Sequence, residues 1–306
     1  MENQQINKTT TLAIIIPYFK IAFFEDTLKS IEKQTSKKFH LYIGNDASPN
    51  DPSEVIKKVL QNTYYKYIDY TDNMGAQSLS KQWDRLLDEI HDEDWFLILG
   101  DDDVLADNFV EIFHKNIQSI DNEKTNVIKV KQRWIDKSNI PITNFTQYPR
   151  LIDPFKRING RASLSEHIFR TSVYKKIGFK DFPLAWKTDN LAVMEFSTGN
   201  PIYFLNQTYV NIRISEYSIS GQEEKDVDKK KKAVIFYEKY IIKNYHKKIE
   251  KQYLKELLIN QIHYKYKYNI PLEINLIKLY LYLGEYRKII TLPKVLFQIM
   301  VKNKSI

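Results

Sequence analysis

Between residues 11 and 134 one pattern repeats five times: a short apolar run rich in β-branched residues, each of the first four followed by apolar residues at helical spacing. TLAIII (11–16) is a continuous apolar run ending at Pro17, as a strand buried on both faces requires. FHLYIG (39–44), YKYIDY (65–70), WFLIL (95–99) and NVIKVKQRW (126–134) read as the next four strands. The first intervening segment carries Glu25 and Asp26 at a helix start, with Leu28 and Ile31 inward. SEVIKKVLQ is the second helix. The third places Leu79, Trp83, Leu86, Leu87 and Ile90 on one face, and the fourth, from about Asp107, turns Phe109, Ile112, Phe113 and Ile120 inward.

Strands alternating with helices of this length predict an α/β fold, with a mostly parallel central sheet flanked by helices. In such sheets ligands bind at the carboxyl ends of the strands. That rule puts PYFK, GNDASPND, TDNMGAQ and GDDDVL along one rim, so Asp46, Asp72 and the run Asp101–Asp103 converge there. Three adjacent carboxylates cannot all ionise cheaply in a partly desolvated rim, because each raises its neighbours' pKa. A divalent cation resolves the conflict, and hard oxygen ligands suit Mg2+ or Mn2+ sharing a substrate's phosphates. The bland alternative is an ordinary acidic turn, with Asp107 capping the next helix. No GxGxxG follows the first strand and GxxxxGK[ST] is absent, which argues against a nicotinamide dehydrogenase and a P-loop NTPase.

The 306 residues suffice for one large domain or a domain with an appendage. There is no cysteine, the first ten residues are polar, and no run approaches the roughly twenty apolar residues of a membrane span. A cytoplasmic protein is the expectation. Charge divides the chain: residues 223–306 carry 19 Lys and Arg against 9 Asp and Glu, and the first 222 carry 27 against 29. We therefore expect one domain over 1–222 and a basic, Tyr-rich helical region over 223–306. NPIYFLNQTYVNIRI suggests a short hairpin after a helix starting near Thr188.

The order IIIPYFK, LYIGNDASPND, DNMG, LGDDDVL resembles family 2 glycosyltransferases, inverting enzymes of the GT-A fold, here of the bacterial surface-polysaccharide type. The resemblance covers about residues 11–220 and implies that 1–222 is a catalytic domain, with a nucleotide half over about 11–134 and an acceptor half over about 135–222. It implies that Asp46 contacts the base or ribose of a nucleotide, and that Pro17, Tyr18 and Glu25 lie where the nucleotide is cradled. Asp72, Asn73 and Gly75 match the loop against the donor. The family's Asp-x-Asp position falls on Asp101–Asp103, with Gly100 where many members have the first aspartate. The resemblance assigns metal to Asp102 and then Asp103, and the donor's ribose to Asp101. Farther on, SEHIFRTSVYKKIGFKDFPLAWKTDNLAV resembles the acceptor half, where an acidic pair opens a helix. Thr188-Asp189 stands there, so Asp189 matches the catalytic base; its residue-level alternative is a helix-start carboxylate with Thr188 as cap. Many members carry a His near NIRISEYSIS; this chain has Ser215, with Arg213 placed to offer charge to a pyrophosphate. His167 reads as a hydrogen-bonded core histidine, with an acceptor-site role second.

The implied reaction is metal-dependent single displacement with inversion. It moves a sugar from a nucleotide-sugar donor, UDP being commonest, to a hydroxyl of a glycan or lipid-linked acceptor. A nucleotidyltransferase or a non-catalytic sugar-nucleotide or nucleic-acid binder is the rival; the first is disfavoured because PYFKIAFFED lacks glycine. The basic C-terminal region reads as a solvated face, a nucleic-acid surface, or a surface for anionic lipid. With a glycosyltransferase core lipid is the more coherent partner, giving a peripheral place on the inner face of the cell membrane.

Overall fold

The computed structural model describes residues 10–156, 162–218, 226–268, 271 and 274–285. The expected 222/223 boundary and the helical reading of 286–306 lie outside these described residues. The chain forms two compact units, residues 1–227 and 228–306.

The first unit is built on β1 (Leu12–Tyr18), β2 (His40–Asp46), β3 (Tyr65–Tyr70) and β4 (Trp95–Ile98), paired in parallel in the order β3-β2-β1-β4. Because successive side chains on a strand face opposite ways, β1 feeds two cores. Leu12, Ile14 and Ile16 pack with Phe24, Leu28 and Ile31 of α1 (Phe24–Glu32), Ile56 of α2 (Ser53–Val59), and Phe109 and Phe113 of α4 (Phe109–Asn122). Ala13 and Ile15 pack with Leu86 and Leu87 of α3 (Leu79–Leu87) on the other face. Continuous burial of LAIII thus follows from helices covering both sides, and all four predicted helices form.

The remaining strands turn the sheet from parallel to mixed. β6 (Val127–Ile135) does not pair with β4; β8 (His167–Arg170) lies between them, antiparallel to both. β9 (Ile202–Arg213) then runs parallel to β6, and the two-residue strands β5 (Val104–Leu105) and β7 (Leu151–Ile152) pair antiparallel with it. Four of the eight pairings are therefore parallel. The hairpin expected over 200–214 is instead this single twelve-residue strand. Its polar Asn206-Gln207-Thr208 segment resembles a turn, but a register shift absorbs it: Val130 faces Leu205 and Lys131 faces Tyr209.

Two further helices follow, α5 (Thr171–Ile177), stopped by Gly178 at φ 69°, and α6 (Thr188–Phe196). A glycine takes this positive φ without the steric cost that a Cβ would bring. In the second unit, α7 (Val227–Tyr245), α8 (Lys251–Tyr268) and α9 (Leu276–Leu283) bury Ile235, Ile241, Leu254, Leu258 and Tyr280. Glu238 of α7, buried, accepts from Asn260 Nδ2 at 3.0 Å and Gln261 Nε2 at 3.1 Å on α8. Among the described residues, no helix is long and apolar enough to cross a membrane.

Candidate active site

The rim at the carboxyl ends of β1 and β4 opens into a cleft of about 380 Å3. Pro17, Lys20, Gly100, Asp101, Asp102, Asp103 and Asp189 all line it. The sequence separates the aspartate run from Asp189 by more than eighty residues, and the fold brings them to one cavity.

The three aspartates are held differently. Asp101 Oδ2 accepts from the backbone N–H of Phe19 at 2.8 Å and of Lys20 at 2.7 Å, tying the turn after β4 to the loop after β1. Asp103 is buried; its Oδ1 accepts from the Arg213 N–H at 2.9 Å, and Ser165 adds a side-chain hydrogen bond. Ser165 also accepts from Gly100 N–H at 3.0 Å. Among the described residues, no hydrogen-bond donor reaches the Asp102 carboxylate. Burial raises the pKa of all three. For Asp102 the neighbouring charges of Asp103 and Asp101 add to the burial and push it well above the carboxylate range. Asp103 rises to about 6.

Gly100 is explained by this crowding. A Cβ built there would stand 2.9 Å from Asp103 Oδ2 and 3.1 Å from Asp102 Oδ1, so the two carboxylates occupy the space an aspartate side chain would need. The turn is pinned on its exit side as well. Leu105 N–H donates to Ser30 Oγ at 3.2 Å, and Gln34 Nε2 donates to the Ala106 carbonyl at 2.7 Å.

Asp189 lies in the first turn of α6. Its Oδ1 accepts from the Asn190 N–H at 2.7 Å, and burial, with the Glu166 charge behind it, pushes its carboxyl up to about 7. Glu166 itself forms a fully buried ion pair with Lys129 Nζ at 2.5 Å. Thr188 is not the cap: it is the first helical residue, its hydroxyl donates to the Lys180 carbonyl at 2.8 Å, and Lys187 holds the cap position at φ 75°. Leu184 (φ 59°) and Ala185 (φ 50°) are left-handed too. Each such non-glycine residue costs on the order of 1 kcal/mol or more, and strain of this kind clusters at functional sites.

Other residues expected at the site have structural employment. Asp46 is buried at the end of β2, where it accepts from Met74 N–H at 2.9 Å, from Gly75 N–H at 2.8 Å, and from Arg85 Nη2. Arg85 Nη1 reaches exposed Asp72 at 2.9 Å, and its guanidinium lies 3.7 Å from the Tyr70 ring centroid. Asn73 Oδ1 accepts from Ala76 N–H at 2.8 Å. The 72–76 loop is thereby closed on Asp46. Tyr18 is buried against Phe24 and donates its hydroxyl to the Asn50 carbonyl at 2.8 Å, leaving Pro17 as the strand residue facing the cleft.

Glu25 is not brought to the cleft: it pairs on the surface with Lys29 at 2.9 Å and Lys58 at 3.1 Å. Arg213 is buried beneath the aspartates. Its Nε donates to the Asp102 carbonyl and Nη1 to the Asp136 carbonyl, both at 2.9 Å, while Nη2 reaches Asn139 Oδ1 at 2.6 Å and Asp26 at 3.2 Å. It is a clamp under the site rather than a residue lining it. His167 is buried, its Nδ1 2.7 Å from the Ser163 carbonyl and its Nε2 3.3 Å from Lys129 Nζ. Ser215 is buried and its Oγ accepts from Tyr217 N–H at 3.2 Å.

Several cleft residues escaped the sequence reading. Lys20, two residues past β1, is the cation beside the aspartates, and its Nζ reaches the Tyr217 carbonyl. Ser165, also in the cleft lining, supports Gly100 and Asp103 by hydrogen bonds. Trp83, Trp134 and Trp186 form much of the wall. Only the position of Lys20 in PYFK carried a signal; the tryptophans gave no periodic cue that would have set them apart from core residues.

A sheet of this order with an aspartate cluster at the end of β4 defines a GT-A-type nucleotide-sugar transferase fold. The glycosyl transferase family 2 model matches residues 13–179, and the chain belongs to that family. Asp189 lies beyond the matched segment. No curated protein matches by sequence. Among solved structures, S. aureus TarS is similar at 18% identity and TM-score 0.59, over 87% of this chain and 46% of that one. The chain thus spans less than half of that protein. S. aureus TarS 1-349 in complex with UDP-GlcNAc aligns at 17% identity and TM-score 0.60, over 86% of this chain and 77% of that chain. Mannosyltransferase PcManGT from Pyrobaculum calidifontis, in complex with GDP-Man and Mn2+, aligns at 10% identity and TM-score 0.54 over 78% and 66%. At these identities the likeness is one of fold.

Proposed function

We propose that the protein transfers a sugar from a nucleoside-diphosphate donor to an acceptor hydroxyl, by single displacement with inversion. The observation that carries this reading is the sharing of one cleft by Asp102, whose carboxylate no hydrogen-bond donor among the described residues reaches, and Asp189, whose pKa of about 7 suits proton transfer near neutrality. The fold-related proteins in complex with UDP-GlcNAc and with GDP-Man support a nucleotide-sugar donor, and a UDP-sugar is the first choice.

The residues present fit a divalent cation in a limited way. Among the described residues no group of three or more His, Cys, Asp and Glu is arranged to hold a metal. Asp102 is the open carboxylate, with Asp103 Oδ2 on the same side of Gly100. That donor set suits Mn2+ or Mg2+ completed by water and the donor's own phosphates. When bound, the ion supplies Lewis-acid stabilisation of the leaving diphosphate. Lys20 adds fixed positive charge at the same mouth. Asp189 takes the proton of the acceptor hydroxyl as its oxygen bonds to the anomeric carbon, and the bond from that carbon to the diphosphate breaks. Asn190, through its N–H, orients the Asp189 carboxylate for this.

The acceptor is a glycan or a lipid-linked glycan. The basic helices after residue 226 are assigned to an anionic membrane surface, on the strength of Lys residues interspersed with exposed Phe236, Ile259, Ile277 and Leu281. That gives a peripheral place on the cytoplasmic face of the membrane.

The test is a thermal-shift screen of UDP-, GDP- and dTDP-sugars with Mn2+ and with chelator, followed by mass analysis of turnover on the best binder. A metal-dependent shift with one nucleotide class, and release of the matching nucleoside diphosphate, is expected. Binding of none of them would overturn the reading.

A further inference from the structure

Three of the four tryptophans, Trp83, Trp134 and Trp186, line the cleft; only Trp95 is fully buried in the core. Each of the three is half-buried, and they arrive from separate places: α3, the end of β6, and the loop before α6. Trp134 sits in register with Ile212 of β9, which lines the same wall. Trp83 is braced edge-on by Phe179, ring centroids 5.5 Å apart. Trp186 stands three residues before Asp189, held between left-handed Ala185 and Lys187.

Three half-buried indoles on one cleft offer flat apolar rings that a bound ring can cover further. The phosphates of a donor have no use for them; anions would be served by Lys20 and by a cation held at Asp102. A pyranose ring does have a use. One face is a patch of C–H groups that lies flat on an indole, while its hydroxyls radiate from the edge toward hydrogen-bonding groups. The aspartates and Asn190 in the same cleft are such groups. Trp186 is also the indole nearest in sequence to the proposed base.

We propose that Trp186, with Trp134 and Trp83, forms the platform on which the terminal sugar ring of the acceptor stacks, presenting a hydroxyl to Asp189. The acceptor end is then a pyranose rather than an acyclic polyol phosphate or an alkyl phosphate. This rests on the transferase reading above.

The full chain, saturated with Mn2+ and UDP, is titrated with methyl β-D-glucopyranoside, methyl N-acetyl-β-D-glucosaminide and methyl β-D-galactopyranoside while tryptophan emission is followed. Glycerol 3-phosphate and decyl phosphate form the opposing arms. At least one saccharide should give a saturable change. Trp186→Ala should weaken its binding about tenfold, and Trp186→Phe should recover most of that loss. UDP affinity, measured by calorimetry, should be unchanged in both variants.

The platform is overturned if all three saccharides are silent, if a phosphate probe alone responds, or if Trp186→Ala leaves saccharide affinity unaltered. A full response to UDP alone, to which no saccharide adds, would assign the indoles to the nucleobase and overturn it equally. Failure of the wild-type chain to bind UDP would instead sink the donor reading. The saccharide titration without UDP would still read the platform.

Discussion

The backbone N–H of Arg213 lies 2.9 Å from Asp103 Oδ1, although 110 residues separate them. Its side chain reaches under the same turn to the Asp102 carbonyl, so one residue at the end of β9 supports two members of the aspartate run. A carboxylate cluster that repels itself is tolerable only where such donors and a buried cation offset the cost.

Arg213→Lys is expected to destabilise the fold by about 2–4 kcal/mol, since a lysine cannot satisfy four acceptors at once and leaves buried carbonyls unpaired. Urea denaturation would show the loss, with UDP affinity changed little at low temperature. A direct phosphate ligand would give the reverse, with stability kept and UDP affinity lost.

Asp189→Asn should lower kcat by about 10²–10⁴-fold while the thermal shift with UDP and Mn2+ persists. In the wild type, kcat/KM should climb with pH through about 7, because the base must be deprotonated and its folded pKa lies there. Near-normal transfer by the variant would refute the assignment.

The two neighbouring aspartates should separate under substitution. Asp101→Ala removes the acceptor of two backbone hydrogen bonds and should cost about 1–3 kcal/mol of stability. Asp102→Asn should leave stability unchanged or raised, because it relieves repulsion, yet demand far more Mn2+ for half-maximal activity. Parallel denaturation and metal titrations check both.

Stability should fall as pH rises across the neutral range. Asp103 and Asp189 have folded pKa values of about 6 and 7, above their unfolded range, and Asp46, Asp101 and Asp102 are raised too. The native state therefore holds protons that the unfolded chain has released. The associated stability is complete below the unfolded pKa near 4 and is lost as pH passes 6 and 7. Calorimetric Tm should drop by several degrees, about 5 °C, between pH 5.5 and 8. Asp189→Asn should flatten the upper part of that slope, and Mn2+ with UDP should restore more at pH 8 than at pH 5.5.

Gly75→Ala should open the 72–76 loop, since a Cβ there would meet Asp46 Oδ2 at 2.6 Å. A raised KM for the donor with kcat nearly intact is expected, together with faster amide exchange at Met74.

The parallel half of the sheet was legible because strands covered on both faces, such as Leu12–Ile16, must be apolar without interruption. The rim aspartates followed from that topology. Other features depend on contacts between distant segments. His167–Arg170 is too short to announce a strand, and its antiparallel course between β4 and β6 is set by pairing with both. The polar 206–208 stretch signals a turn and becomes a bulge, because β6 supplies partners on either side. Glu25 and Arg213 were read by position, but the first is drawn to Lys29 and Lys58 and the second is buried by its own hydrogen bonds. The left-handed residues before α6 carry no glycine to mark them.

The antiparallel strand between β4 and β6 has a consequence for modularity. It carries Ser165 at its entry to Gly100, so a segment that braces the aspartate turn comes from beyond residue 134. Neither stretch is a portable module. A shuffled gene that kept residues 11–134 would encode the aspartates without the partners that make their proximity bearable, and any change to the cleft must proceed within one indivisible sheet.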